Sequence, residues 1–213
     1  KQSILKGGEE SANKRVDYYF TNYLHEYFET RSLVDGLDNS TKLSPFLACG
    51  CISARTIYQK LKEHEEKSKE SKSSYWIFFE LLWRDFFYLI MKESKNKLFL
   101  QTGLFDTNKY NFIKNSHEMT NFFKAKTGID IIDAGVIELK TTGFISNRLR
   151  QLLASYFVKN LGLDFRYGAA FFEEYLIDYS CASNYGNWAY QAGVGSDKKY
   201  RVFDPIKQSQ LYK

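Results

Sequence analysis

Across residues 141–196, polar side chains recur at helical spacing inside a segment that is otherwise apolar and aromatic. A helix buries such groups only where a polar ligand stands opposite them. Asn147, Arg150 and Ala154 fall on one helical face, and Arg150 is the natural counter-ion for Asp178 at the end of the following helix. A buried pair of this kind is more often structural. The next turn tips the balance, because Asp178, Ser180, Asn184 and Asn187 place a carboxylate, a hydroxyl and two amides within ten residues, beside Trp188. Those are the donors and acceptors that an aromatic heterocycle with imide edges needs, so the segment reads as half of a cofactor cage. The GVGS run that follows is neither a Walker loop nor GxGxxG, and reads as a turn.

A second group of charges lies in residues 75–98, whose aromatic and leucine content predicts a long buried helix. Glu80, Arg84 and Asp85 sit there among Trp76, Phe79, Trp83, Phe86 and Phe87. Glu80 and Arg84 have the i, i+4 spacing of a surface pair, yet charges embedded in so many rings also suit a functional site.

The elements that must position these groups follow from periodicity and caps. Residues 1–15 are polar and read as a frayed or linking segment, and the first element spans residues 16–28, with Tyr19, Tyr23 and Tyr27 at helical spacing. Residues 31–44 read as loop. A short apolar turn or helix and a Gly break come next, then a helix capped by Ser53 that runs past Leu61. The charged run 67–74 reads as a solvated connection. Residues 101–126 predict a loop followed by a short helix. Thr127 and Gly128 end that helix, Asp130 or Asp133 caps the next one, and Gly143 breaks it. Ser146 then opens the organising stretch, with helices over residues 147–160 and 167–178.

Composition bounds the rest. A chain of 213 residues that is 44% apolar, with only two prolines, predicts a globular and mostly helical domain. The 17% of aromatic residues fill a bulky core or stack on a flat ligand. A formal charge of +5 favours a polyanionic partner only if the charges cluster on one face. Of three cysteines, Cys49 and Cys51 are too close for an ordinary disulfide, which points to a reducing, intracellular compartment. His25, His64 and His117 lie far from one another and from the cysteines, so no metal site is expected. No apolar run approaches a membrane span and no signal peptide opens the chain, so a soluble protein is expected.

Several motifs, in order, resemble the FAD-binding domain of the DNA photolyase and cryptochrome family, especially its DASH branch: TKLSPFLACGCIS, ELLWRDFF, TGIDIIDAG, TGFISNRLRQ, ASYFVKNLGLDFRYG and SNYGNWAYQAGVG. Gln151 and Tyr190 favour that branch. The resemblance implies an all-α domain over residues 16–213 that holds FAD in a folded conformation. It implies that Tyr27 with Ser40, Thr41, Lys42, Leu43 and Ser44 hold the diphosphate and ribityl region. Arg84, Asn147 and Arg150 would flank the flavin, Asp178, Tyr179 and Ser180 would meet its ring edge, and Asn184 would sit near N5. In the family, blue light drives an electron from the reduced flavin to a pyrimidine dimer flipped out of DNA, here with single strands favoured. Glu80, Asn184 and Trp188 would serve that reaction, Glu80 by hydrogen-bonding the dimer, while Arg31, Trp83, Arg148 and Gln208 would lie toward the DNA. The compartment implied is a bacterial cytoplasm, or a nucleus or organelle.

Departures from the family pattern set further expectations. Of the usual three-tryptophan relay only the inner Trp188 is present, with Phe112 and Phe165 at the outer positions and Tyr110, Tyr156 and Tyr167 as substitutes nearby. Ser180 stands where the branch has Asp, and Lys42 where Arg is usual. The family's preceding α/β antenna domain and its C-terminal extension are not in the sequence, which suggests a fragment or a stand-alone flavin domain. Alternatives to repair are a non-repairing photosensor or redox protein, and a degenerate interaction module.

Overall fold

The computed structural model describes residues 5–106, 110–114, 116–196 and 202–211, and within them the fold is helical. The helices are α1 (Glu9–Asn22), α2 (Tyr27–Thr30), α3 (Ser44–Ala48), α4 (Ala54–Ser68), α5 (Lys72–Ser94), α6 (His117–Phe123), α7 (Asp130–Thr142), α8 (Asn147–Ser155), α9 (Phe165–Tyr175), α10 (Cys181–Ala192) and α11 (Pro205–Leu211). One isolated parallel bridge joins Ile113 and Leu163. No described helix is long and apolar enough to cross a membrane. Among the described residues no group of three His, Cys, Asp or Glu could hold a metal ion.

Two cores divide the work. The first packs Val16, Tyr19 and Phe20 of α1 against Leu43, Phe46, Ile57, Leu61 and Ile77. The second, larger core gathers Phe122, Ile132, Val136, Leu149, Leu152, Leu153, Phe157, Phe165, Phe172 and Trp188 from α6 to α10. Helix α5 joins them, giving Ile77 to the first and packing Ile90 and Met91 against the second. Its contact with α10 is close because Gly186 carries no side chain: a Cβ there would lie 2.4 Å from Phe87 Cδ1. Site residues therefore lie where two separately packed halves meet.

The local signals fix most boundaries. Ser53 accepts from Thr56 N at 3.0 Å and starts α4, Ser146 accepts from Leu149 N at 3.2 Å and starts α8, and Gly143 ends α7 in the left-handed region. At α7 neither Asp130 nor Asp133 is the cap: the N-cap is Ile129, without a side-chain bond, and Asp133, inside the first turn, accepts from Thr127 N and Gly128 N and so ties down the preceding loop. After α8 the chain continues as one π-helical turn, Tyr156–Asn160.

Four further expectations are corrected. Helix α1 starts at Glu9, not at residue 16, because Ala12 and Arg15 share the buried face of Val16 and Tyr19. The solvated connection is only residues 69–71: Ser71 and Ser74 form a capping box, and buried Ser73 donates to His25 O at 2.9 Å. Helix α5 is not buried all round, since Tyr88 and Leu89 are 64% and 60% exposed. Its neighbours cover one side only, and aromatic content alone does not say which. Helix α9, capped by Asp164, ends at Tyr175, so Asp178 lies in the connection to α10 rather than at a helix end.

Candidate functional site

The loop between α2 and α3 is held by one arginine. Arg15 of α1 donates through Nε to Thr41 O at 2.9 Å, through Nη2 to Leu37 O and Ser40 O, both at 3.1 Å, and through Nη1 to Asp38 at 2.6 Å. These bonds set the shape of residues 37–41, and with it the position of Lys42. Lys42 has φ of 54°, in the left-handed region that a lysine rarely adopts and that recurs at functional sites. The residue is buried, and its Nζ donates to Ser40 Oγ at 3.0 Å and lies 5.3 Å from the centre of the Phe144 ring. The guanidinium of Arg150 lies 5.2 Å from the same ring.

Lys42 faces a cavity of about 180 Å³ whose lining includes Asp35, Glu138, Phe144 and Ser146. Burial is the main cause that pushes the Lys42 ammonium down to about 8, with Arg15 and Arg150 adding to it and Glu138 and Asp38 opposing. Burial likewise raises Glu138, against the pull of Lys42. An unfolded lysine titrates near 10.5, so between pH 8 and 10.5 the unfolded chain binds more protons than the folded one. Stability of the flavin-free chain, relative to Lys42→Met, is therefore expected to rise across that window. Chemical denaturation at several pH values checks it, and a flat difference would contradict it.

The second half of the site is built on α8 and α10. Arg150 Nη1 and Nη2 donate to the two oxygens of Asp178 at 3.0 and 2.8 Å, and Arg150 Nε donates to Ile145 O at 3.1 Å. The Asp178 side chain is 1% exposed. Asn184, also buried, donates from Nδ2 to Ala169 O at 2.9 Å. Trp188 is 2% exposed, its indole N–H has no hydrogen-bond partner among the described residues, and its ring meets Phe172 at 5.0 Å and Phe157 at 5.8 Å. Ser180 is the N-cap of α10 and accepts through its carbonyl from Asn184 N. The phenol of Tyr179 is raised by burial, then by Cys181 and Glu173.

Two residues leave this group. Asn187 is exposed on α10 and donates to Ser183 O at 2.8 Å, so it is turned away from Asn184. Asn147, in the first turn of α8, is exposed while Ala154 is buried and Arg150 half-buried, so the three do not share one environment.

Glu80 does not pair with Arg84 as the i, i+4 spacing suggested. It pairs with Arg31, 49 positions earlier, whose guanidinium lies 4.4 Å from the Trp76 ring and 5.9 Å from that of Tyr27. Burial and Glu80 push the Tyr27 phenol up to about 12. Arg148 donates to Ser32 Oγ at 3.3 Å, and its guanidinium lies 5.8 Å from the Phe203 ring. Arg84 pairs with its neighbour Asp85 at 3.1 Å. At 100° per residue Arg84 shares the face of buried Ile77 and Phe87, yet its side chain is 45% exposed, so protein does not close that face there. Trp83 packs edge-on against Phe79 and Phe86, and Gln208 lies in α11, which contacts α7. Ser44 is exposed at the start of α3, and Leu43 belongs to the first core.

Around the relay positions, Phe165 is fully buried and meets Phe112 at 6.2 Å, and Phe112 meets Tyr110 at 5.7 Å. Tyr156 instead stacks on Phe122, and Tyr167 is 41% exposed. Tyr110 is thus the tyrosine that joins this line of rings.

Arg15, Glu138 and Phe144 are site residues that pattern reading missed. Their signals were present: an arginine on the same stripe as Ala12, Val16 and Tyr19, and a lone carboxylate on the apolar run of α7. The donor set fits a cofactor of the expected kind. Among the described lining residues Lys42 is the cation, beside the carboxylates of Asp35 and Glu138, while Arg15 and Arg150, paired with Asp38 and Asp178, lie near enough to act on it. The Lys42 ammonium suits an anionic group such as a diphosphate. The cavity is below the roughly 300 Å³ of ordinary ligand pockets, so it matches a diphosphate rather than a whole dinucleotide. Asp178, Asn184 and the unpartnered Trp188 N–H suit the polar edge of a ring.

Comparison with known proteins gives the same direction. Residues 76–213 match the family described as the FAD binding domain of DNA photolyase. A Synechocystis sp. protein named Cryptochrome DASH is 44% identical over 216 residues, an alignment covering 99% of this chain and 44% of the relative. A Danio rerio protein of the same name is 45% identical over 211 residues, covering 97% and 40%. The crystal structure of Synechocystis sp. PCC6803 cryptochrome superposes with a TM-score of 0.93 at 42% identity, covering 98% of this chain and 44% of that one. The chain thus spans less than half the length of these relatives.

Proposed function

The chain belongs to the family of FAD-binding domains of DNA photolyases and cryptochromes, and on that premise we propose that it holds FAD and uses blue light to split cyclobutane pyrimidine dimers in single-stranded DNA. The observation that carries the cofactor half is the Arg150–Asp178 pair, whose arginine shares the Phe144 ring with Lys42 at the cavity. The nucleic-acid half rests on the Arg31–Glu80 pair, whose guanidinium lies beside the Trp76 ring, and on Arg148, which donates to Ser32.

The chemistry that FAD supplies when bound is transfer of an electron to the dimer under blue light and its recovery once the ring has split. The rest of the work is positioning. Lys42, with Ser40, Thr41, Leu43 and Ser44, holds the diphosphate, and Tyr27 closes that end. Arg150 holds Asp178 oriented toward the ring edge, with Tyr179 and Ser180 beside it. Arg84 and Asn147 line the open side. The Asn184 amide has Nδ2 engaged with Ala169 O, which leaves Oδ1 to accept from a ring N–H. Trp188, with Phe157 and Phe172 against it, excludes water from the inner wall. Glu80 accepts from the base edge of a flipped dimer, and Arg31, Trp83, Arg148 and Gln208 meet the strand.

The test is direct. The flavin-loaded chain, illuminated with blue light over a dimer-containing single strand, is expected to remove the dimers, and Glu80→Gln is expected to slow this. A chain that binds FAD and leaves the dimers untouched would instead fit a non-repairing photosensor. Photoreduction of oxidised FAD by an external donor is expected to be slow, because the rings against Trp188 are phenylalanines and the outer relay positions hold Phe165 and Phe112. The double change Phe112→Trp with Phe165→Trp is expected to speed it, and equal rates in the two proteins would contradict this.

A further inference from the structure

Glu80 and Arg31 are each suited to a different part of a nucleic acid, yet they hold each other. The carboxylate accepts from N–H groups such as those on a base edge, and the guanidinium donates to anionic oxygens such as those of a phosphodiester. Their ion pair joins α5 to the residue that follows α2, with the two side chains 36% and 22% exposed, so both remain within reach of a ligand. The Arg31 guanidinium is also held 4.4 Å from the Trp76 ring and 5.9 Å from that of Tyr27. A phosphate alone could take Arg31 only by leaving Glu80 as a half-buried carboxylate without its cation, which costs free energy. A strand that brings a base edge and a phosphate together satisfies both at once.

We propose that the Arg31–Glu80 pair is a specificity lock, in which a flipped base must occupy Glu80 before Arg31 is released to the phosphodiester backbone. This rests on the reading of the site as a nucleic-acid site. The lock acts against undamaged strands, whose bases leave the stack less readily than a dimer does and so more often offer phosphate alone. Discrimination then comes from a penalty on the wrong ligand as much as from contacts to the right one.

The experiment measures binding of a short undamaged single strand and of its dimer-containing counterpart at several salt concentrations, in the dark, with the flavin-loaded chain. Glu80→Gln keeps the shape of the side chain and removes its charge, so it should free Arg31 permanently. Affinity for the undamaged strand is expected to rise about threefold, the scale of one released surface ion pair. The salt dependence should steepen by about 0.7 in log–log slope, that of one added phosphate contact on a single strand. The preference for the dimer should shrink accordingly. The double variant Glu80→Gln with Arg31→Gln should lose both the gain and the added slope. An unchanged affinity and slope in Glu80→Gln would overturn the lock, and so would a gain that survives in the double variant. A parent chain that binds neither strand would overturn the lock together with the nucleic-acid part of the function.

Discussion

Asp178→Ala is expected to lose about 3–5 kcal/mol of stability, the cost of stranding one partner of a buried ion pair, and to emerge from purification without flavin. The Asp178 side chain is 1% exposed and accepts both terminal nitrogens of Arg150, at 3.0 and 2.8 Å. Removing it leaves a guanidinium beside Lys42 and the Phe144 ring with no anion to balance it. The two losses are separable. Arg150→Lys keeps the positive charge but not the planar fork, so it is expected to fold with a smaller loss and to bind flavin weakly. Chemical denaturation with flavin absorption read on the same samples checks both. An Asp178→Ala protein as stable as its parent would mean that the pair is not the brace described.

Gly168→Ala is the second large effect. A Cβ at this position would lie 2.2 Å from Cη2 of Trp188 and 2.4 Å from Cζ3, far inside contact distance. Trp188 cannot retreat freely, because Phe157 and Phe172 stand against it at 5.8 and 5.0 Å. Overpacking of this kind costs about 1–3 kcal/mol. It should also move the indole, with altered tryptophan fluorescence and weaker flavin binding as the signs. Normal stability with an unmoved fluorescence spectrum would contradict the packing of α9 on α10.

The contrast between these residues and those that sequence misjudged is instructive. Ser53, Gly143 and Ser146 were legible because a cap is a local device: its partners lie within a few positions and its residue types are few. Arg150 and Asp178 were legible as a pair because each is a charge in an apolar run with one suitable partner nearby in sequence. Arg15 was hidden, since the groups it binds are carbonyls and a carboxylate 22 to 26 positions later in a loop with no periodicity. Arg31 was hidden as the partner of Glu80 for a related reason. Spacing ranks Arg84 first, and nothing local predicts that α2 delivers Arg31 to the same carboxylate across 49 positions. Asn187 has the right chemistry on the wrong face of α10, a distinction that needs the register of the helix against α9. The exposed side of α5 was illegible because its rings are spread around the whole helix, and composition does not choose a face.

These cases share a rule. Chemistry carried by contacts within one helix, or by one pair of charges in an apolar run, can be read from residue types. Chemistry assembled across the junction of the two cores depends on how the halves dock, and there the loop of residues 31–43 is the deciding element. Arg15 shapes it, Lys42 is strained at its end, and Arg31 leaves its start to reach Glu80.

The measurement that bears most directly on the account is a titration of the flavin-free chain with FAD and, separately, with FMN, followed by calorimetry and by flavin absorption. The account predicts saturable binding of one FAD per chain, with FMN much weaker because it lacks the diphosphate that Lys42 and the loop of residues 40–44 would hold. Absence of saturable FAD binding, or equal affinity for the two flavins, would contradict it.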